Sequence, residues 1–247
     1  MKVAVVAITR HGIALAGKVV AALPGASLFA PEKFRAEAAA AAPAVVQCYS
    51  GKVGDQVPAL FAAFDGIVAI VSLGAVVRLI APHLGSKESD PAVVVVDEAG
   101  RFAIPVLSGH VGGANALAGH LATALGATAV LTTASDARQT LAVDLLGREL
   151  GWTIEATHAE IVRVSAAVVN DEPVALVQED GSGDWWTGHA NGRSGPLPAT
   201  LQRFARLEDV DPERFAAVLW ISQRAMPADH ALQLAGKVIV YRPGEAH

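Results

Sequence analysis

The residues best suited to chemistry lie between Ser108 and Leu117, which read Ser-Gly-His-Val-Gly-Gly-Ala-Asn-Ala-Leu. Arg101 to Leu107 before them is strand-like, and Ala114 to Leu125 after them has helical character. A glycine-rich turn at a strand-to-helix junction presents backbone N–H groups that the helix cannot pair, a natural cradle for an anionic or developing-anionic oxygen. Gly109, Gly112 and Gly113 permit a tight turn and a close approach to the backbone. Ser108, His110 and Asn115 add polar side chains. His110 is the candidate general base, because its ordinary pKa lies near neutrality. Asn115 is placed to orient a substrate oxygen from the first helical turn. The plainer reading is a strand-to-helix loop with solvated polar residues, in which His110 only caps the turn.

These residues need a scaffold, and the first half of the chain supplies alternating strand and helix signals. Lys2 to Ile8 is a β-branched run, followed by a turn at Thr9 to Gly12 and a helical stretch from Ile13 to Leu23. Ala44 to Cys48 is a short strand candidate, Gln56 to Phe64 a helix, and Gly66 to Ser72 an apolar run of the kind covered on both faces. Leu73 and Gly74 begin a turn, and Ala75 to Ala81 reads as a short helix ending before Pro82. Ala92 to Asp97 and Arg101 to Leu107 flank Glu98-Ala99-Gly100 as a hairpin, across which Asp97 and Arg101 form a structural pair. Thr128 to Thr132 closes the strands, and Asp136 to Leu150 reads as a helix, with an N-cap among Thr132, Thr133, Ser135 and Asp136.

This alternation predicts an α/β fold: an open, mostly parallel sheet with flanking helices. Ligands of such sheets sit beyond the carboxyl ends of the strands. The turns at Thr9–Gly12, Ser72–Gly74, Ser108–Gly113 and Thr132–Asp136 are all expected on that one edge. Thr9, Arg10, Gly74 and Arg78 therefore join Ser108, Gly109, Gly112 and Gly113 as candidate substrate contacts. His83 and Lys87 are weighed for the same mouth, Lys87 more readily as solvated surface.

After Gly151 the texture changes. His158 to Asn170 is helical, while Pro173 to Gln178, Phe215 to Ser222 and Lys237 to Tyr241 are strand candidates. Asp184-Trp185-Trp186 could start a returning strand, its tryptophans packing on a sheet. The reading is two domains, an amino-terminal α/β domain over 1–138 and a smaller α+β domain over 139–247.

With 247 residues, 52% of them hydrophobic, the chain can bury a sizeable core. A formal net charge of -5 argues against a nucleic-acid surface. The single cysteine, Cys48, excludes an internal disulfide and a cysteine-rich zinc site, and suits a reducing cytoplasm. No signal peptide or membrane span is expected. His158, His189 and His230 lack metal-ligand spacing.

Several blocks carry a resemblance: Val76-Val77-Arg78-Leu79-Ile80-Ala81-Pro82, Asp90 through Asp97, Gly100-Arg101-Phe102 and Ser108 through Asn115, in that order. They resemble the amino-terminal domain of the CbiG family of cobalamin biosynthesis. Val164 through Asn170 and Glu172 through Leu176 resemble its central domain. The resemblance spans roughly residues 50 to 242. It implies a cobalt-precorrin-5A hydrolase of the anaerobic route to vitamin B12, which opens a lactone on a cobalt-tetrapyrrole and releases acetaldehyde, a hydrolase acting on a carbon-carbon bond. Cobalt is carried by the substrate, so no cofactor or protein metal is implied. Members commonly continue past a strand like Val238–Pro243 into a carboxy-terminal domain. A separate homologue of that domain is therefore a candidate partner, alongside self-association. The alternative reading is a non-catalytic tetrapyrrole-binding subunit. A nucleotide-binding regulatory domain ranks below both, since no Gly-x-Gly-x-x-Gly turn follows the first strand.

Overall fold

The computed structural model describes residues 1–86, 89–133, 140–186 and 197–244. The chain divides into two compact units, Met1–Leu131 and Thr132–His247.

The first unit runs β1 (Val3–Ala7), α1 (Arg10–Ala22), β2 (Ser27–Pro31), α2 (Arg35–Ala41), β3 (Val46–Tyr49), α3 (Val57–Ala63), β4 (Gly66–Ile70), α4 (Leu73–Ile80), β5 (Ala92–Val96), β6 (Phe102–Leu107), α5 (Ala114–Leu125) and β7 (Thr128–Ala129). The strands order as β3-β2-β1-β4-β5-β6-β7. All neighbours are parallel except β5 and β6. The period-two rule explains the layering. Val3, Val5 and Ala7 of β1 face one apolar layer with Ile13, Ala16 and Val19 of α1 and Leu117 and Leu121 of α5. Ala4 and Val6 face the opposite layer with Val57 and Leu60 of α3 and Val76 and Ile80 of α4. Every residue of β1, β4 and β5 is buried, as the continuous apolar runs require.

The β5–β6 hairpin forms where the sequence places it. Asp97 Oδ1 accepts from the N–H groups of Arg101 (2.6 Å) and Phe102 (2.7 Å), and its Oδ2 meets Arg101 Nε at 3.2 Å. Burial works to raise the Asp97 pKa, but these donors prevail and hold it below its ordinary value. Gly100, at φ +67°, lays the hairpin tip on Leu15 of α1, where an added Cβ would stand 3.2 Å from Cδ1.

The second unit runs β8 (Thr153–Glu155), α6 (His158–Val169), β9 (Val174–Gln178), β10 (Leu201–Phe204), β11 (Ala217–Ile221), α7 (Ala228–Gln233) and β12 (Val238–Arg242). Its strand order is β10-β9-β11-β12-β8. The α+β expectation takes the form of four parallel strands with one antiparallel edge, β8. Thr157 caps α6 in a reciprocal capping box with Glu160. Tyr241 is fully buried and its hydroxyl donates to Val143 O at 2.8 Å.

Three expectations fail locally. The helix expected up to Leu150 is absent from its described part, 140–150. Ala142 is extended, and Gly147 and Gly151 adopt φ of +72° and +73°, leaving only the single 3-10 turns Val143–Leu145 and Arg148–Leu150. Asp184 to Trp186 starts no strand: Gly183–Trp185 is a 3-10 turn, with Trp185 buried in the second core. The strand expected over Thr128–Thr132 is only two residues long. Lys87, Ser135, Asp136 and His189 lie outside the described residues.

Candidate active site

The reversal at the β5–β6 hairpin decides where the candidate residues sit. β1 and β4 run in one direction, so Thr9, Arg10, Ser72 and Gly74 lie at their shared carboxyl edge. β6 runs the other way. Its last residue, Leu107, pairs with Val93 near the start of β5. The Ser108 hydroxyl donates to Asp90 O, ahead of β5, at 3.0 Å. A Cβ on Gly113 would stand 2.9 Å from Met1 Cε, ahead of β1. The Ser108–Asn115 turn is thus at the carboxyl end of β6 but at the amino edge of β1, β4 and β5. A five-residue strand is about 17 Å long, so the two groups cannot form one compact site. The expectation that all four turns share an edge is corrected.

At the carboxyl edge of β1 and β4 each candidate has local work. Thr9 is the N-cap of α1, accepting from Gly12 N at 3.0 Å, and its hydroxyl donates to Glu98 Oε1. Arg10 pairs with Glu37 at 3.1 Å on the surface. Arg78 Nη1 donates to Gly74 O at 2.9 Å within α4. Gly74 and Arg78 are exposed. The His83 ring lies 6.1 Å from the Phe61 ring, tilted to it by 51°. Glu98 was no candidate in the sequence. The contact that draws attention to it spans 89 residues, and no local pattern announces it.

The Ser108–Asn115 turn is tightly closed on itself. Gly113 N donates to His110 O (2.9 Å), Ala114 N to Ser108 O (3.1 Å) and Asn115 N to Gly109 O (2.9 Å). The amides around Gly112 and Gly113 were the ones expected to serve an oxyanion or carboxylate. The Gly113 N–H is instead engaged, so the turn acts as a rigid mount rather than an open amide cradle. Ser108 takes φ +55°, a left-handed conformation that costs a non-glycine residue energy and that clusters at functional sites. Gly112 is sterically required: an added Cβ would fall 2.4 Å from Ser108 Cβ and 2.8 Å from Ser108 O. A Cβ on Gly109 would fall 2.8 Å from Asn115 Oδ1, so the Asn115 carboxamide lies against the Gly109 backbone. His110, Asn115, Ser108, Gly109, Gly112 and Gly113 are therefore brought together, with His110 only partly buried.

Two sequence profiles match the chain, one described as "Cobalamin synthesis G N-terminal" over residues 55–136 and one as "Cobalamin biosynthesis central region" over 141–243. The chain belongs to the CbiG family. It is 40% identical over 240 residues to a cobalt-precorrin-5A hydrolase of Priestia megaterium, covering 97% of this chain and 62% of that protein. It is 35% identical over 184 residues to a cobalt-precorrin-5A hydrolase of Salmonella typhimurium, covering 74% and 48%. The chain thus spans 62% and 48% of the lengths of these two CbiG relatives, less than two thirds of either. A crystal structure described as a putative cobalamin biosynthesis protein G homolog from Sulfolobus solfataricus aligns with a TM-score of 0.48 at 19% identity, over 98% of this chain and 60% of that one. Among the described residues of this CbiG chain, no helix is long and apolar enough to cross a membrane.

Proposed function

We propose that this chain acts on cobalt-precorrin-5A, opening the lactone of the cobalt-tetrapyrrole and releasing a two-carbon fragment as acetaldehyde. The observation that carries this reading is the alignment along 97% of the chain with a relative named for that hydrolase. The geometry supports the turn after β6 as the reacting site. Its backbone is locked by its own hydrogen bonds, and a rigid mount is what a positioned acid–base group needs.

In this reading His110 takes the proton from a water that attacks the lactone carbonyl, and returns it to the ring oxygen, which leaves as a hydroxyl when the carbonyl re-forms. That hydroxyl then gives up its proton to His110 as the carbon-carbon bond to the macrocycle breaks: the two-carbon fragment departs as acetaldehyde, and the electron pair stays on the macrocycle carbon, which takes the proton. The Asn115 carboxamide steadies the developing oxyanion, in place of the engaged Gly113 amide. Ser108, Gly109 and Gly112 shape the floor on which the ester lies. Thr9, Arg10, Gly74 and Arg78 lie on the other edge and are left out of the chemistry. Cobalt belongs to the substrate, and the protein residues act on carbon, oxygen and protons only.

The test is acetaldehyde release from cobalt-precorrin-5A by the purified chain, with the Priestia relative as positive control. Release above background supports the reading. Binding of the substrate without release favours the tetrapyrrole-binding alternative, for which the engaged Gly113 amide is the supporting observation. In that case, adding a separately produced carboxy-terminal region of the relative tests whether activity requires it.

A further inference from the structure

The sheet of the second unit has a topological switch of its own. From β9 the chain goes to β10 on one side and then to β11 on the other. In parallel sheets the carboxyl ends beside such a switch are where ligands bind. The gap between β9 and β11 is closed by the protein itself: Asp180 Oδ2 accepts from Gln223 N at 2.7 Å and from Ser222 Oγ at 3.3 Å. Beside it, over the carboxyl ends of β9 and β10, an open cleft of about 480 Å³ remains, within the range of small-molecule sites.

Its lining is held in place before any ligand arrives. The Gln178 carboxamide donates to Ser182 O at 3.0 Å and accepts from Trp185 Nε1 at 3.1 Å. Gly181, at φ +78°, lies where a Cβ would be 2.7 Å from the Trp152 ring. The acids of the cleft are also occupied. Glu179 is clasped by Arg224 at 2.6 Å and receives Leu207 N at 3.0 Å, while Asp180 is committed to β11. Arg203 differs from them. It lines the cleft and is exposed, and among the described residues it has no hydrogen-bond or ion-pair partner. Phe204 beside it, fixed edge-on to Phe215 at 5.5 Å, gives the cleft an aromatic wall.

We infer that this cleft is a second ligand site, which takes a carboxylate-bearing small molecule through the guanidinium of Arg203. Guanidinium is suited to this because it grips a carboxylate with two parallel hydrogen bonds. The neighbouring acids, already paired, oppose the incoming charge less than free carboxylates would. The cleft belongs to the second unit, whereas the reaction proposed above uses residues of the first. Its carboxylate comes either from a free organic acid or from a side arm of a tetrapyrrole, and two probes separate these sources.

The experiment is a titration of the whole chain with citrate and, separately, with the octacarboxylate uroporphyrin III, followed by amide chemical shifts at 178–181 and 203–205. Wild type is expected to saturate with at least one probe. Arg203→Gln should weaken that binding about ten-fold or more, whereas Lys18→Gln, which removes an exposed cation from the first unit, should leave it unchanged. Citrate binding assigns the site to free organic acids, and porphyrin binding alone assigns it to tetrapyrrole arms. No saturable shift with either probe overturns the inference, as does binding that Arg203→Gln leaves intact. Acetaldehyde release is not read in this titration, so a failed hydrolase assay and a failed cleft are distinguishable.

Discussion

The Thr9 hydroxyl donates to the Glu98 carboxylate, tying the N-cap of α1 to the tip of the β5–β6 hairpin. The same oxygen accepts from Gly12 N. One side chain thus finishes a helix and anchors the turn that reverses the sheet. Thr9→Ala should therefore cost about 1 kcal/mol through the lost cap, with Thr9→Ser largely restoring it. Glu98→Gln, at an exposed position, should stay within about 0.5 kcal/mol. Denaturant unfolding followed by far-UV circular dichroism reads all three. Turnover within about three-fold of wild type is expected for each, because this edge lies a strand's length from the His110 turn.

Much of this architecture is legible from period-two apolar runs, and the exceptions are physical. α5 begins and ends where the sequence places it, between a glycine turn and the αL residue Gly126. β2 is missed because Ser-Leu-Phe-Ala-Pro has no β-branched residue, and its burial alternates between full and partial. The stretch before Leu150 has helical composition, but Gly147 and Gly151 take the left-handed backbone that ends helices. The candidate site was legible as a motif, and its edge of the sheet was misread. The hairpin at Glu98-Ala99-Gly100 was recognised, yet it also turns β6 around and carries His110 to the opposite edge. That consequence is a property of strand order, which local spacing does not encode.

If His110 is the base, His110→Ala should lower acetaldehyde release by roughly 10²- to 10⁴-fold. Activity should fall much further than stability, since the backbone bond that closes the turn here uses the His110 carbonyl, which every side chain retains. A pH–rate profile supplies the second readout: the limb assigned to a neutral imidazole should vanish in the variant. Turnover within three-fold of wild type would remove His110 from the mechanism.

Gly112→Ala separates the mount from the base. Its new Cβ meets Ser108 Cβ and Ser108 O, and the backbone oxygen cannot swing aside. The turn must open, at a cost of about 1–3 kcal/mol. Activity should fall with stability here, in contrast to His110→Ala. Hydrogen exchange at Ala114 and Asn115, whose amides close the turn, should quicken. Unchanged exchange together with unchanged activity would show that the turn is not the rigid element proposed.

Acid should unfold the second unit through Glu179. Burial works to raise its pKa, but the Arg224 guanidinium and the Leu207 amide outweigh this and hold it at about 2, against an ordinary 4.5. Because the folded value is the lower one, the unfolded chain binds the extra proton first. The stabilisation is complete above about pH 4.5 and is lost as pH falls toward 2. The carboxylate is mostly buried while Arg224 is half-exposed, so solvent screening reduces the effect to on the order of 2 kcal/mol. All four tryptophans, Trp152, Trp185, Trp186 and Trp220, lie in the second unit. Their fluorescence during urea unfolding therefore reports that unit, and its midpoint should drop between pH 4.5 and 2. In Glu179→Gln the drop should shrink by the Glu179 share, because the amide has no proton to gain. A wild-type and variant pair with the same pH slope would place the acid sensitivity in other carboxylates.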